Sequence, residues 1–177
     1  MARVPPAREP LAAAAREELE RQRAAHGRVT NMKQTLAHSP VALSALMTWY
    51  PLRDECATFL GDRLTVLFAH AVSTEADCLI CSTFMRRILI DAGDDPDHLQ
   101  LDEREQAVVD FGLTIARNNS FVPAAIYDRV AALFQPAQIV TLTAFGALMI
   151  ATNVFNNALE VELDEYLWPY RRAGSVK

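Results

Sequence analysis

From Val130 to Leu159, thirty consecutive residues carry no charged side chain. A run of that kind must be hidden from water, and where it hides constrains the fold more than any other feature of the chain. Its strongly apolar part, Ile139 to Ala151, is shorter than the ~18 or more residues of a membrane span. Gln135, Pro136 and Gln138 precede that part, and Asn153, Asn156 and Asn157 follow it. The pattern predicts a fully buried helix or a subunit interface, with no membrane partner. Pro136 suits the first helical position, where its missing N–H is not needed. Gly146 and Ala147 would let another helix approach closely. A homo-oligomer burying part of this run is therefore expected.

The rest of the chain is helical by the same reasoning. It has 28 Ala and 6 Gly in 177 residues, and Ala loses least on entering a helix while Gly loses most. No segment alternates like a half-buried strand, so the expected class is all-α. The length suits one domain with a short appendage, read as an N-terminal extension over 1–30 and a helical domain over 31–177. Lys plus Arg is 17 against 22 Asp plus Glu, a net charge of −5. That balance excludes the basic stripe a nucleic-acid binder needs. Three cysteines are an odd count, too few for a disulfide framework, and they suit a reducing, cytoplasmic setting. Met1 to Pro6 has no apolar core resembling a secretory signal. The acids Glu9, Glu17, Glu18 and Glu20 do not suit a transit peptide.

Residues 1–8 are expected to lack fixed structure. A helix over Pro10–His26 should stop at Gly27. Short helices follow over Met32–Ala37 and Val41–Trp49, the second broken by Pro51. Asp62 reads as an N-cap, and Leu64, Leu67, Phe68, Ala71 and Val72 then share one helical face. Thr74-Glu75-Ala76-Asp77 reads as a weak capping box, opening a helix that ends near Asp91 and Gly93. Asp94, Asp95 and Asp97 form an acidic, solvated loop around Pro96. Asp102 and Glu105 cap a helix to about Ala116. Asn118, Asn119 and Ser120 read as a turn. Pro123 and Pro136 start helices through about Phe134 and Asn153, and Pro169 ends any helix in the tail.

One constellation carries chemistry. Cys78-Leu79-Ile80-Cys81 sits at the expected start of a helix, where two cysteines three apart can close a disulfide. The terminal N–H groups and the helix dipole there favour a thiolate, the form that attacks peroxides and disulfides. A competing reading is packing, because Cys78, Cys81, Met85, Ile88 and Ala92 form one apolar stripe and free Cys is a good core residue. Zinc is a third reading, but a structural site needs four ligands, and only Cys56 and His70 could join the pair. No metal or cofactor is expected.

Asp62 to Gly93, centred on Asp77-Cys78-Leu79-Ile80-Cys81-Ser82-Thr83-Phe84-Met85, resembles the core of the carboxymuconolactone decarboxylase / alkylhydroperoxidase D-like family. The segment from Gln135 to Thr143 is similar to the family's late helix, and the segment from Asn153 to Leu163 to its closing segment. The resemblance spans roughly residues 35 to 168. It implies an alkylhydroperoxidase D-like helical domain that assembles into homo-oligomers. In the peroxidase branch it makes Cys81 the attacking thiol and Cys78 the resolving one, with a small-molecule peroxide as substrate and a dithiol as reductant. The family's proton-relay Glu and His fall at Val66 and Met85, neither of which accepts a proton near neutral pH. His70, one turn after Val66, and Glu75, three residues before Cys78, are the substitutes. Against those roles stand an ordinary buried or interface His and a solvated capping Glu.

Arg86 and Arg87 read as solvent or interface charges, and Trp49, Tyr50, Trp168 and Tyr170 as packing aromatics. Asn153, Asn156 and Asn157 read as capping and subunit hydrogen-bonding residues. The expected function is a Cys-x-x-Cys thiol oxidoreductase of low activity. The alternatives are a non-enzymatic binding protein on the same fold and, third, a decarboxylase-type lyase.

Overall fold

The computed structural model describes residues 2–117 and 121–172; the Asn118–Ser120 turn lies outside them. Nine α-helices are present among the described residues: α1 (Ala13–His26), α2 (Asn31–Leu36), α3 (Pro40–Met47), α4 (Trp49–Leu60), α5 (Asp62–Glu75), α6 (Leu79–Asp91), α7 (Glu103–Ala116), α8 (Ala124–Ala131) and α9 (Pro136–Leu159). A 3₁₀ helix, Glu165–Tyr170, follows. The fold is all-α, as the composition requires.

Helix α5 is the hub, with α4, α6, α7 and α9 packed around it. Its stripe of Leu64, Leu67, Phe68, Ala71 and Val72 is buried throughout. Phe68 sits between Phe111 of α7 and Phe145 of α9, with ring centroids 6.5 and 5.9 Å away. Two glycines make room for it. A Cβ on Gly112 would stand 3.0 Å from Phe68 Cδ2, and one on Gly146 would run into Ile115 and Phe68. The close approach that Gly146 permits is thus used inside the chain.

By length and composition α9 could cross a membrane, yet it packs as a core helix on α4, α5 and α7. Leu142, Phe145 and Met149 are buried, whereas Val140 and Val154 are 68% and 60% exposed. The uncharged run is therefore buried along one face only.

Several local expectations hold at the level of atoms. Gly27 ends α1 in the left-handed region at φ 74°. Asp102 and Glu105 form a reciprocal capping box on α7. Pro136 opens α9.

Others need correction. Pro51 does not break a helix. It lies in the first turn of α4, where no partner is lost for its missing N–H. Residues 2–8 are tied down: Arg3 N donates to Leu159 O at 2.9 Å, and Ala7 N to Gln34 O at 3.1 Å. The acidic loop is solvated at Asp95 and Asp97, as expected, and it is also a clasp. Arg86, buried at 8% exposure, grips Asp97 through both guanidinium nitrogens at 2.9 and 2.8 Å, and Arg63 reaches Asp94 at 3.0 Å.

A further correction shapes the site. Thr74 and Glu75 do not open α6; they close α5. Asp77 turns the chain at φ 48°, a region that Asp tolerates better than most residues. Cys78 is then extended and itself caps α6.

Candidate functional site

Cys78 occupies a position usually held by Ser, Thr, Asp or Asn. Its Sγ accepts the Cys81 backbone N–H at 3.3 Å. Its own N–H donates to Ser73 O at 3.1 Å, which fixes the turn on α5. Both sulfurs belong to buried residues, at 1% exposure for Cys78 and 6% for Cys81, and all three cysteines are free thiols.

Helix α9 supplies the groups that hold this turn. Asn156 Nδ2 donates to Cys81 Sγ at 3.2 Å and to Met32 Sδ at 3.3 Å. Asn157 Nδ2 donates to Ala76 O at 3.0 Å. Asn153, fully buried, accepts from Ser73 Oγ at 3.5 Å. These asparagines are clamps on the Cys-x-x-Cys turn within one chain: Asn157 bonds the backbone there, in keeping with the capping reading, and the contact of Asn156 with Cys81 Sγ was not anticipated.

The two thiols are driven apart in acidity. A hydrogen bond from the Cys81 thiol, joined by the backbone N–H groups of Cys81 and Ile80, holds Cys78 below the ordinary thiol range. Burial, reinforced by Cys78 alongside, pushes Cys81 well above it. A single negative charge on the pair therefore rests on Cys78, as the helix terminus dictates.

Only Cys81 of the pair reaches open space. It lines a cavity of about 60 Å³ with Met32, Trp49, Tyr50, Phe84 and Met85. Lys33, Asn156, Asp164 and Tyr166, with Thr30 and Thr152, supply its polar part. Lys33 is 3% exposed and donates to Tyr50 Oη at 3.0 Å. Burial pushes Lys33 down to about 8 and Tyr50 up to about 12. Asp164 accepts the Asn31 N–H at 2.9 Å, and burial raises its carboxyl above the usual range.

The expected substitutes for the missing relay lie elsewhere. His70 is not on the cavity. It sits among Arg86, Asp97 and Arg172, and burial pushes it down to about 4. Glu75 pairs with Arg117 at 2.9 Å on the surface. Val66 and Met85 are buried and apolar, so neither family relay position has a proton acceptor. Cys56 is fully buried in α4, and desolvation pushes its thiol up to about 12. Among the described residues, no three His, Cys, Asp or Glu side chains converge as metal ligands. Sequence reasoning missed Lys33, Asp164 and Tyr166 altogether. No local pattern marks them, because they come together only where α2, α4, α6, α9 and the 3₁₀ helix meet.

The chain has the all-α, alkylhydroperoxidase D-like fold of solved structures. No family model matches the sequence, and no curated protein matches it. Solved structures do. The debrominase Bmp8 superposes with a TM-score of 0.78 at 16% identity, covering 94% of this chain and 95% of that one. A cysteine-to-alanine variant of Bmp8 in complex with 2,3,4-tribromopyrrole gives 0.78 at 15% identity, covering 94% of each chain. An uncharacterised peroxidase-related protein with an alkylhydroperoxidase AhpD core, from Ralstonia eutropha JMP134, gives 0.72 at 17% identity, covering 93% and 95%. At these identities the likeness is one of fold.

Proposed function

We propose that this chain is a cytoplasmic thiol oxidoreductase in which Cys81 attacks a small electrophile and Cys78 resolves the product. The observation carrying this reading is that Cys81 lines a half-open cavity while Cys78, the more acidic thiol, lies within hydrogen-bond reach. The peroxidase-related fold neighbours make a hydroperoxide the first candidate substrate, with a dithiol as reductant.

The pair can supply its own proton transfer. Cys78 thiolate takes the Cys81 proton, so that Cys81 becomes the nucleophile. Cys81 sulfur attacks the outer peroxide oxygen, the O–O bond breaks, and the sulfur becomes a sulfenic acid. The departing alkoxide recovers the proton from Cys78. Cys78 thiolate then attacks the Cys81 sulfur and expels hydroxide, which solvent protonates. The peroxide is reduced by two electrons, the pair becomes a disulfide, and the dithiol reductant restores it. Asn156 supports the scheme by donating to Cys81 Sγ, which stabilises charge arriving there.

A relay made only of thiols is a weak one. General acid–base help is worth about 10²–10⁴-fold, so slow turnover is expected beside a relay-equipped peroxidase. Steady-state peroxide consumption with a dithiol reductant tests the reading. Cys81→Ser should abolish it, and Cys78→Ser should slow the attack while leaving the sulfenic acid that does form on Cys81 unresolved and trappable. Activity that survives Cys81→Ser would remove the mechanism. A pair inert toward every electrophile would favour a non-enzymatic binding protein.

The debrominase neighbours, together with the aromatic cavity walls, favour a second reading, removal of halogen from a small aromatic. Cys81 sulfur would take the halogen, the ring carbon would keep the bond pair and gain a proton, and Cys78 would expel halide to form the disulfide. Halide release from a brominated ring separates this reading from the first.

A further inference from the structure

Three residues lining the cavity at Cys81 carry polar atoms that the thiol chemistry does not use. Asn156 Oδ1, Asp164 Oδ2 and the Tyr166 hydroxyl are buried and have no hydrogen-bond partner. Among the described residues seven buried side-chain nitrogen or oxygen atoms are in that state, so one small cavity collects nearly half of them. Asn156 and Asp164 are only 2% and 8% exposed. Buried polar groups nearly always find a partner, and one that does not calls for a cause such as a missing ligand.

Which atoms remain without a partner follows from what their other ends do. The Asn156 amide nitrogen is committed to Cys81 Sγ and Met32 Sδ, so the carbonyl oxygen is the end left over. Asp164 Oδ1 takes the Asn31 N–H, so Oδ2 is left over. Both remaining atoms are acceptors, and what they lack is a donor. The walls around them are flat and apolar: Trp49, Tyr50, Phe84 and Tyr166, with Met32 and Met85 between them. Aromatic faces and thioethers favour a ring over an aliphatic chain. The enclosed space is about 60 Å³, below the roughly 150 Å³ of a closed site that takes up benzene, and its open mouth leaves room for part of a single five- or six-membered ring but not for a larger system.

We infer that this cavity binds a single aromatic ring bearing one N–H or O–H donor, received by Asn156 Oδ1 and Asp164 Oδ2. The same Asn156 amide holds Cys81 Sγ at 3.2 Å, so a donor bound at its oxygen brings the neighbouring ring substituent up to the sulfur. For its chemistry this inference rests on the thiol oxidoreductase reading, the ring being the carrier of the electrophilic atom. For binding it does not.

The test uses the reduced, unmodified protein with no oxidant present, so that binding is read without turnover. Calorimetry or ligand-detected NMR compares phenol and pyrrole with benzene, which has no donor, and with pyridine, which only accepts. Phenol and pyrrole should bind roughly five- to a hundredfold tighter than benzene, the effect of pairing a buried acceptor, and pyridine should bind no better than benzene. In Asp164→Asn the new amide keeps its oxygen on Asn31 and turns its N–H to the cavity. Phenol should weaken there and pyridine should gain. Equal binding of phenol and benzene to the unmodified protein, tighter binding of pyridine, or no ring binding at millimolar concentration would each overturn the inference. Loss of peroxide turnover with phenol still bound would sink the redox reading alone.

Discussion

Replacing His70 with Gln separates a structural histidine from a catalytic one. His70 titrates at 6.5 in an unfolded chain and at about 4 in the folded one, first because burial disfavours the imidazolium and then because Arg86 repels it. Asp97 opposes that effect and Arg172 adds to it. The sign follows from which state binds the proton first. As the pH falls, the unfolded chain takes up the proton near 6.5, whereas the folded chain waits until about 4. Native stability attributable to this group is therefore complete above about pH 7 and drains away on acidification. Linkage gives a loss of about 2 kcal/mol by pH 5 and about 3 kcal/mol by pH 4. His70→Gln should cancel that slope. The stability difference between the unmodified chain and the variant should move by about 2 kcal/mol in the variant's favour between pH 7.5 and pH 5. Urea unfolding followed by far-UV circular dichroism at pH 7.5, 6 and 5, at one protein concentration, measures it. Parallel stability profiles for the two proteins would refute the burial argument. Peroxide consumption in the same variant should be unchanged at pH 7.5, because His70 does not line the cavity. A large loss of turnover there would return His70 to the proton path.

Other expectations follow from single positions. Oxidation should consume two of the three thiols and link Cys78 to Cys81, as read by mass spectrometry, because those two lie within hydrogen-bond reach of each other while Cys56 is fully buried in α4; a Cys56 linkage as the main product would contradict the pairing. Val140 and Val154 leave an apolar face on α9 that is 68% and 60% exposed at those residues, and we propose that a second copy covers it. Light scattering should then report an oligomer that Val140→Glu with Val154→Glu dissociates, and a monomer at micromolar concentration would count against it. Phe68→Ala should cost about 3–5 kcal/mol in thermal or denaturant unfolding, since the ring is fully buried between α7 and α9.

Much of the fold was legible because its signals are local. Helix caps such as Asp102 with Glu105, stops such as Gly27, and the Leu64 to Val72 stripe each report on residues within one or two turns. The Cys-x-x-Cys pair was legible for the same reason: three residues of spacing set both its closeness and its place at a helix start. Errors arose where one residue type serves two local roles. Pro51 suits a helix break and a helix first turn equally well, and what precedes it decides. Thr74 and Glu75 suit a cap, but α5 runs through them because its apolar face stays in the core as far as Ser73.

The sequence by itself determined an all-α chain, one uncharged helix that must be hidden, and a thiol pair lacking the expected relay at Val66 and Met85. Only the tertiary structure decided what surrounds that pair. Lys33, Asn156 and Asp164 meet at Cys81 from places 48 to 83 residues away along the chain, and no periodicity encodes a contact of that separation. It arises because α6 and α9 pack on α5 and the 3₁₀ helix packs on α6, while α2 meets α9 through Met32 and Asn156. The same packing left His70 off the cavity, among Arg86 and Asp97. Helix periodicity fixes which face a side chain shares, but which neighbour that face meets is a property of the whole core.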